Sequence, residues 1–219
     1  MKKNTSPAIE FATFLIIFCF FLLPPFFSPA ISEMTSPFVQ WNFPLQQLMC
    51  ALLAIFLWIY YKEEKRPAII KFPLIFTFSL LFFVELIFKF ISVSQSTATI
   101  TETNFNDSVV LPSDFIQWSF CVINFLFSAF FEEVLYRFYL PGRLKYFASF
   151  LPNKKIFLII CEVISCLIFA FSHSYMGFLS VLNAFFAHII LRICYLTCNN
   201  IFCGTAAHFL YNIISLLLM

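Results

Sequence analysis

Residues 115–143 read FIQWSFCVINFLFSAFFEEVLYRFYLPGR, and this stretch decides the fold class. Its first part, residues 115–131, contains no charged side chain. A hydrocarbon core of about 30 Å needs roughly 20 apolar residues in a helix, so residues 115–140 are long enough to cross a membrane. Ionisable residues in such a segment are costly, and they usually mark a functional site or a compensating ion pair.

The rest of the chain has the same character. Only 11% of the 219 residues are charged and 62% are hydrophobic, too few charges to cover a soluble domain of this length. We predict an all-α, polytopic bundle of about seven transmembrane helices. Residues 1–114 would supply three spans and an outer loop, and residues 115–219 the core that carries the motifs. Besides 115–140, the predicted spans are 9–27, 45–61, 68–93, 156–173, 176–197 and 200–218.

Lysine and arginine in the short loops predict the orientation, because cytoplasmic loops carry an excess of both. Alternate loops contain none, namely 28–44, 94–114 and 174–175. The amino terminus is therefore predicted to be cytoplasmic. A signal peptide cleaved near Ser28–Ser32 is the less favoured reading of the first span, and it would leave the downstream topology unchanged. The basic residues lie before the first span and in the other loops: Lys2, Lys3, Lys62, Lys65, Arg66, Lys71, Arg143, Lys145, Lys154 and Lys155.

Two other classes of site are disfavoured. A formal net charge of +2 without a basic patch argues against a nucleic-acid partner. The eight cysteines form no C-x-x-C pair, so neither a disulfide framework nor a zinc ribbon is indicated. We expect buried thiols that pack as small hydrophobic groups.

The fourth predicted span holds the most informative polar residues. Glu133 and Arg137 are four residues apart in the favourable order for an ion pair on one helix. Glu132 lies about 100° away around the helix and has no partner within it. A desolvated carboxylate among phenylalanines suits general-base chemistry. The alternative is a structural ion-pair lock, with Glu132 reaching a partner on another helix.

Two later spans carry histidines at one-turn spacing. In FAFSH, Phe169 and His173 are four apart, and in CGTAAHFLYN, His208 and Asn212 are four apart on one face. The second pair could stabilise an oxyanion, or it could join helices by hydrogen bonds. A lone histidine near a span end is more often an interfacial residue than a catalyst.

The remaining polar residues in the spans are interpreted as structural. Glu85 and Lys89 can neutralise one another at i,i+4 spacing, and Arg192, which shares a face with His188, can extend toward the cytoplasm. Glu162 and Asn124 have no partner that the sequence identifies.

Taken together, E-E-x-x-x-R, F-x-x-x-H and H-x-x-x-N in successive order resemble the CPBP family (CAAX protease and bacteriocin-processing, Rce1-like) over residues 115–216. The resemblance implies a membrane endopeptidase with a cytoplasm-facing cavity. Glu132 would activate water with help from His173. His208 and Asn212 would stabilise the oxyanion, and Glu133 and Arg137 would hold the site together.

The resemblance also leads to expectations about the cofactor and the substrate. We favour a metal-free site because H-E-x-x-H is absent, but Glu132, His173 and His208 could bind a divalent metal such as zinc. A peptide or protein substrate is implied, with or without a lipid, and a bacterial inner membrane is favoured. Two departures bear on the substrate: Phe138 stands where relatives commonly carry glycine, and the sixth span (SVLNAFFAHIILR, 180–192) is not glycine-rich.

A count along the helices conflicts with this site. Glu132 falls ~10 Å from the cytoplasmic end of its span and His208 ~12 Å, but His173 falls ~27 Å from Lys155. Two other functions are open: a non-catalytic immunity or scaffold protein whose motif residues only lock helices, and a transporter with an acidic proton relay. The transporter ranks last because the sequence shows no repeat and only three glycines.

Overall fold

The computed structural model describes residues 6–29, 41–61, 71–96, 111–150 and 154–218, and every regular element within these ranges is helical. Two stretches are π-helical, Phe18–Leu22 and Glu133–Tyr139, and two are 3₁₀-helical, Pro24–Phe27 and Ser174–Met176. The α-helices are α1 (Pro7–Ile17), α2 (Leu45–Tyr61), α3 (Lys71–Ser96), α4 (Phe115–Glu132), α5 (Leu140–Ala148), α6 (Lys154–Phe171), α7 (Phe178–Cys198) and α8 (Ile201–Leu218).

Most of these helices can cross a membrane. Among the described residues, five segments are long and apolar enough to do so: Pro7–Phe27, Pro73–Ser94, Phe115–Ala148, Phe178–Cys198 and Ile201–Leu218. The predicted spans 45–61 and 156–173 also form helices, but α2 is only 17 residues long and α6 includes two lysines and Glu162. Large apolar side chains such as Phe20, Phe90 and Phe178 face outward, as lipid contact requires. The predicted multi-pass helical membrane bundle is confirmed.

Part of the orientation argument falls outside the described residues. These include residues 30–32 of the candidate cleavage region, residues 97–110 of the polar loop, and the basic residues Lys2, Lys3, Lys62, Lys65 and Arg66. The cytoplasmic location of the amino terminus stays a prediction.

Contacts at one end of the bundle agree with helices that alternate in direction. Glu10, near the start of α1, accepts hydrogen bonds from Tyr61 at the end of α2 and from Arg143 on α5, both at 3.0 Å. The Arg143 guanidinium also lies 4.2 Å from the centre of the Tyr61 ring. Because Glu10 is buried, an unpaired carboxylate there would be costly. We call this the basal end of the bundle.

The helices pack so that α4 and α8 meet inside the bundle. Helix α4 contacts α2 and α8, while α7 contacts α3, α6 and α8. The main core cluster joins Leu57 of α2 to Leu135 and Tyr139 of the π-helix and Phe169 of α6. The motif-bearing helices therefore surround the Glu133–Tyr139 segment.

The fourth predicted span ends later than expected. The sequence suggested an end at residue 140, before Pro141 and Gly142, but the helix continues to Ala148. Pro141 has no N–H to donate to the Arg137 carbonyl four residues earlier, and Arg192 donates a hydrogen bond to that oxygen instead. Glu132 is therefore ~24 Å before the end of α5, and His173 is ~28 Å after the start of α6. Since α5 packs against α6, the two residues reach similar heights, and the predicted conflict in depth disappears.

Candidate functional site

Glu133 is the fully buried centre of the site. Its Oε1 atom accepts a hydrogen bond from His208 Nδ1 at 3.0 Å and lies 3.4 Å from Arg137 Nε. The predicted ion pair between Glu133 and Arg137 is thus present. Both residues belong to the π-helix, a form that is rare and occurs mostly at functional sites. We call Glu132, Glu133, Arg137, His173 and His208 the Glu132 site.

Helix α8 approaches Glu133 closely because position 204 has no side chain. A Cβ atom added at Gly204 would lie 2.6 Å from Glu133 Oε2, closer than real contacts allow. Gly204 is one turn before His208, so the same close approach brings His208 within hydrogen-bond reach of Glu133. Because position 204 has no side chain, α8 comes close enough for the His208 imidazole to bond Glu133.

Glu132 differs from its neighbour in burial and in contacts. Its side chain is 24% exposed, whereas that of Glu133 is fully buried. Glu132 Oε2 lies 3.7 Å from His208 Nε2, and it accepts no hydrogen bond within the described part of the chain. Because Nδ1 of His208 donates to Glu133, Nε2 is the ring nitrogen that faces Glu132. A carboxylate oxygen and an imidazole nitrogen at this spacing can contact one small molecule between them.

His173 follows α6 and has one ring nitrogen fixed by the backbone. Its Nδ1 atom is 2.9 Å from the carbonyl oxygen of Phe169 and donates to it, which leaves Nε2 available. His173 lies close enough to Glu132 and His208 to interact with both electrostatically. The structure therefore brings His173 to the same region as the two other motif residues.

Phe169 connects the motifs physically. Its ring centre lies 3.9 Å from the Arg137 guanidinium, and its ring packs at a tilt against those of His173 and His188, at centroid distances of 4.7 and 5.4 Å. A cation over a desolvated ring is stabilised by up to about 2 kcal/mol. Phe169 therefore supports Arg137 on one side and limits the position of His173 on another.

A second group of charged residues, on α5, α6 and α7, is bonded to the backbone of the π-helix. Arg192 donates two hydrogen bonds to Glu162, at 2.9 and 2.7 Å, and a third to the carbonyl oxygen of Arg137. Lys145 of α5 also pairs with Glu162. Glu162, for which the sequence identified no partner, is thus an ion-pair residue. Arg192 binds Glu162 and the Arg137 carbonyl, and its extension toward the cytoplasm stays a prediction.

Two further polar residues singled out from the sequence, Asn124 and Glu85, also have hydrogen-bond partners. Asn124 accepts a hydrogen bond from Ser128 at 3.3 Å. Glu85 accepts hydrogen bonds from Asn183, Tyr211 and Ser215. We call these four residues, Glu85, Asn183, Tyr211 and Ser215, the Glu85 cluster.

Asn212 is the motif residue whose predicted role has the least support from the structure. It lies one turn after His208 on α8 and is half-buried, and it forms no hydrogen bond among the described residues. The oxyanion role that the family resemblance implies for Asn212 stays a prediction, as do the catalytic roles of Glu132, His173 and His208.

The fit to a metal ion can be tested by distance. Glu132 Oε2 and His208 Nε2 are 3.7 Å apart, a spacing that one ion could bridge. However, the ligand atoms of Glu132, His173 and His208 do not all lie within 4.8 Å of one another, a condition that three other side chains of the described chain satisfy. The three residues do not form a ready zinc site in this arrangement.

Sequence reasoning missed three contributors to this region. Gly204 could have been noticed, because it is one of only three glycines and precedes the histidine by one turn. The Glu162–Arg192 pair joins α6 to α7 and carries no local spacing signal. Tyr175, in the 3₁₀-helix after His173, lies near enough to Glu132 for electrostatic interaction.

Comparison with protein families gives one match. Residues 114–214 match the family described as type II CAAX prenyl endopeptidase Rce1-like. This range contains all three motifs and agrees with the resemblance stated from the sequence. Neither the curated proteins nor the solved structures yield a match.

Proposed function

Residues 114–214 carry an Rce1-like domain, and from this premise we propose that the protein is an intramembrane endopeptidase. It would hydrolyse a peptide bond with a water activated by Glu132, in a cavity reached from the cytoplasm. The observation that supports this proposal best is the free oxygen of Glu132. It faces the Nε2 atom of a histidine whose other nitrogen is held by Glu133.

The roles follow from which atoms remain available. Glu132 has an oxygen without a hydrogen bond and can accept the proton of a water. His173, which interacts electrostatically with Glu132 and has its Nδ1 held by the Phe169 carbonyl, would orient that water through Nε2. His208, fixed through Glu133, and Asn212, one turn away, would stabilise the tetrahedral oxyanion. Glu133 and Arg137 would act as positioning residues because they do not reach the reacting atoms.

The substrate proposed is a protein or peptide segment that enters from the membrane surface, with a prenylated carboxyl terminus as the first probe. The protein is integral to the membrane, and we place it in a bacterial inner membrane. Phe138 and the bulky α7 segment could narrow the space available to a lipid. A non-lipidated peptide is therefore the second probe.

The test is peptide cleavage by the purified full chain in proteoliposomes. The probes are a fluorogenic peptide ending in a farnesylated CAAX sequence and its non-lipidated counterpart. Glu132→Gln should lower cleavage by about 10²–10⁴-fold, the usual contribution of a general base. Glu85→Gln is the matched control, since Glu85 is also a glutamate inside the bundle, and it should retain most of the activity. Full activity of Glu132→Gln would overturn the proposal.

The non-catalytic immunity or scaffold function makes the opposite prediction. In that case Glu132→Gln would preserve function, and loss of Arg137 would abolish it because Glu133 would remain as a buried, unpaired charge. A cleavage assay that detects no product, together with a cellular function that survives Glu132→Gln, would favour this alternative.

We propose a metal-independent reaction. Activity should persist after treatment with 1,10-phenanthroline or EDTA, and added zinc should not raise it. Loss of activity on chelation, restored by zinc, would instead assign Glu132, His173 and His208 as ligands.

A further inference from the structure

Three thiols that are not part of the Glu132 site meet at the junction of α7 and α8. Cys194 and Cys198 lie one turn apart near the end of α7, and Cys203 lies in the first turn of α8. Cys194 Sγ is 3.5 Å from Cys203 Sγ and 3.9 Å from Cys198 Sγ, and all three sulfurs lie within 4.8 Å of one another. The side chains are buried, and Leu74 of α3 packs against them.

The chain makes this junction with a very short turn. Asn199 adopts a left-handed conformation with φ of 50°, and the Asn200 side chain accepts a hydrogen bond from the Phe202 N–H at the start of α8. Asparagine tolerates the left-handed region better than most residues. The turn returns α8 directly onto α7, so that a cysteine five residues after Cys198 faces the two cysteines of α7.

The sulfur spacing suits one metal ion. A metal–thiolate bond of about 2.3 Å places the sulfurs around a single ion about 3.8–4.0 Å apart. The observed sulfur distances of 3.5 and 3.9 Å are close to this range, so binding requires only small side-chain adjustments. The same sulfur contacts are within the range of S–H···S hydrogen bonds, which metal binding would replace.

We propose that Cys194, Cys198 and Cys203 form a three-coordinate site for a soft thiophilic cation, Cu(I). Soft thiolate ligands select Cu(I), whereas a structural zinc site takes four protein ligands. No histidine or carboxylate of the described chain joins the three sulfurs as a fourth ligand, and burial excludes water. Each cysteine that binds as a thiolate releases its proton to solvent, and the ion keeps its oxidation state.

The location agrees with reduced thiols and has a mechanical consequence. The end of α7 lies at the basal end of the bundle, because Arg192 joins Lys145 of α5 through Glu162. This is the end predicted to face the cytoplasm, where thiols stay reduced. Cys203 directly precedes Gly204, so an ion would tie α7 to α8 next to the glycine that contacts Glu133.

The experiment titrates the full chain, purified anaerobically in detergent, with Cu(I) against bicinchoninate. We expect one Cu(I) per chain and a rise in the thermal unfolding temperature on binding. Each of Cys194→Ser, Cys198→Ser and Cys203→Ser should weaken binding by about 100-fold or more, since each removes one of three ligands. Cys121→Ser is the matched control, a buried thiol in a separate core cluster beside Trp41 and Leu216, and it should bind as the unmodified chain does.

Folding of the variants is checked by gel filtration, and a parallel Cys→Ala set separates loss of the ligand from effects of the serine hydroxyl. X-ray absorption of the loaded chain should show three sulfur neighbours. Cu(I) binding that survives the triple Cys→Ser substitution would overturn the proposal. So would tighter binding of Zn(II) at the same cysteines, or thiols that form only a disulfide without retaining metal.

Discussion

Two glutamates inside the bundle show how differently the same side chain can be used. Glu85 places both carboxylate oxygens in hydrogen bonds, from Ser215 to one oxygen and from Asn183 and Tyr211 to the other. Glu132 leaves a buried oxygen without any hydrogen bond among the described residues, 3.7 Å from a histidine nitrogen. A carboxylate surrounded by donors has little capacity to accept a proton from a new partner. The contrast separates a structural glutamate from one available for chemistry.

The neighbours of the two glutamates extend the contrast. In the Glu85 cluster, the three donors come from α7 and α8, so the carboxylate fastens α3 to both helices. In the Glu132 site, an arginine and a second glutamate form a buried ion pair that supports the reactive side chains. In the Glu85 cluster, the polar groups bond to one another and hold helices together. The Glu132 site retains a polar atom for a substrate or a water.

Removal of Arg137 should give the largest effect on stability. Arg137→Leu leaves Glu133 buried without its cation and should lower the free energy of unfolding by about 3–5 kcal/mol. Thermal unfolding in detergent measures it. The double variant Glu133→Gln, Arg137→Leu should recover part of this loss because it removes both charges. A single variant as stable as the parent chain would show that the ion pair does not hold the site.

Glu85→Ala tests the structural half of the comparison. The change leaves the hydroxyl donors of Tyr211 and Ser215 without their acceptor, while Asn183 keeps its hydrogen bond to Tyr211, and a buried unsatisfied donor costs about 1–3 kcal/mol. We expect a loss of about 2–4 kcal/mol in unfolding free energy. Glu132→Ala should cost less than half as much, because Glu132 accepts no hydrogen bond in the described chain. Equal losses in the two variants would remove the distinction.

Gly204→Ala probes the contact between α8 and Glu133. The added methyl group would lie 2.6 Å from Glu133 Oε2, so α8 or the carboxylate must shift, at a cost of about 1–3 kcal/mol for overpacking. Cleavage activity should fall as well, since His208 moves with α8. Gly142→Ala is the control, because a Cβ atom there meets nothing within 4 Å. If both alanine variants behave alike, the close approach has no functional meaning.

Glu162→Gln should have the smallest effect. Its carboxylate is about one-third exposed, and partly exposed ion pairs contribute roughly 1 kcal/mol or less. The change should become smaller at high salt, because screening weakens the attraction to Lys145 and Arg192. Unfolding measured at low and high salt checks this. A loss as large as that of Arg137→Leu would place Glu162 within the essential support of the site.

The sequence was sufficient for the fold class and for the motif set. Hydropathy placed the helices closely, because backbone groups in lipid must be satisfied internally and apolar length is decisive. The Glu133–Arg137 pair followed from spacing alone. Glu162 could not be paired, because Lys145 and Arg192 are distant in sequence and meet it only when α5, α6 and α7 pack.

The predicted end of the fourth span, at residue 140, was wrong for a different reason. Pro141 and Gly142 suggested a helix end, but the helix continues through them, and Arg192 of α7 donates to the Arg137 carbonyl that Pro141 cannot bond. The conflict over the depth of His173 came from this single boundary. The cysteine site was missed because its spacing, C-x₃-C-x₄-C, becomes meaningful only once the tight turn at Asn199 is known.

The π-helix at Glu133–Tyr139 has a consequence for insertions and deletions. Such a segment holds about one residue more than an α-helix of equal length, so it acts as a stored insertion in the chain. Deleting Leu135, between Val134 and Tyr136, would let the helix close into regular α form with α4 and α5 left in place, because the extra residue is absorbed within the segment. Glu133 and Arg137 would then be three residues apart, a spacing that still places both on one face of an α-helix, so their ion pair would be kept. The span would remain apolar and long enough to cross the membrane, so chains that differ by one residue at this point can share the same arrangement of helices on either side of it.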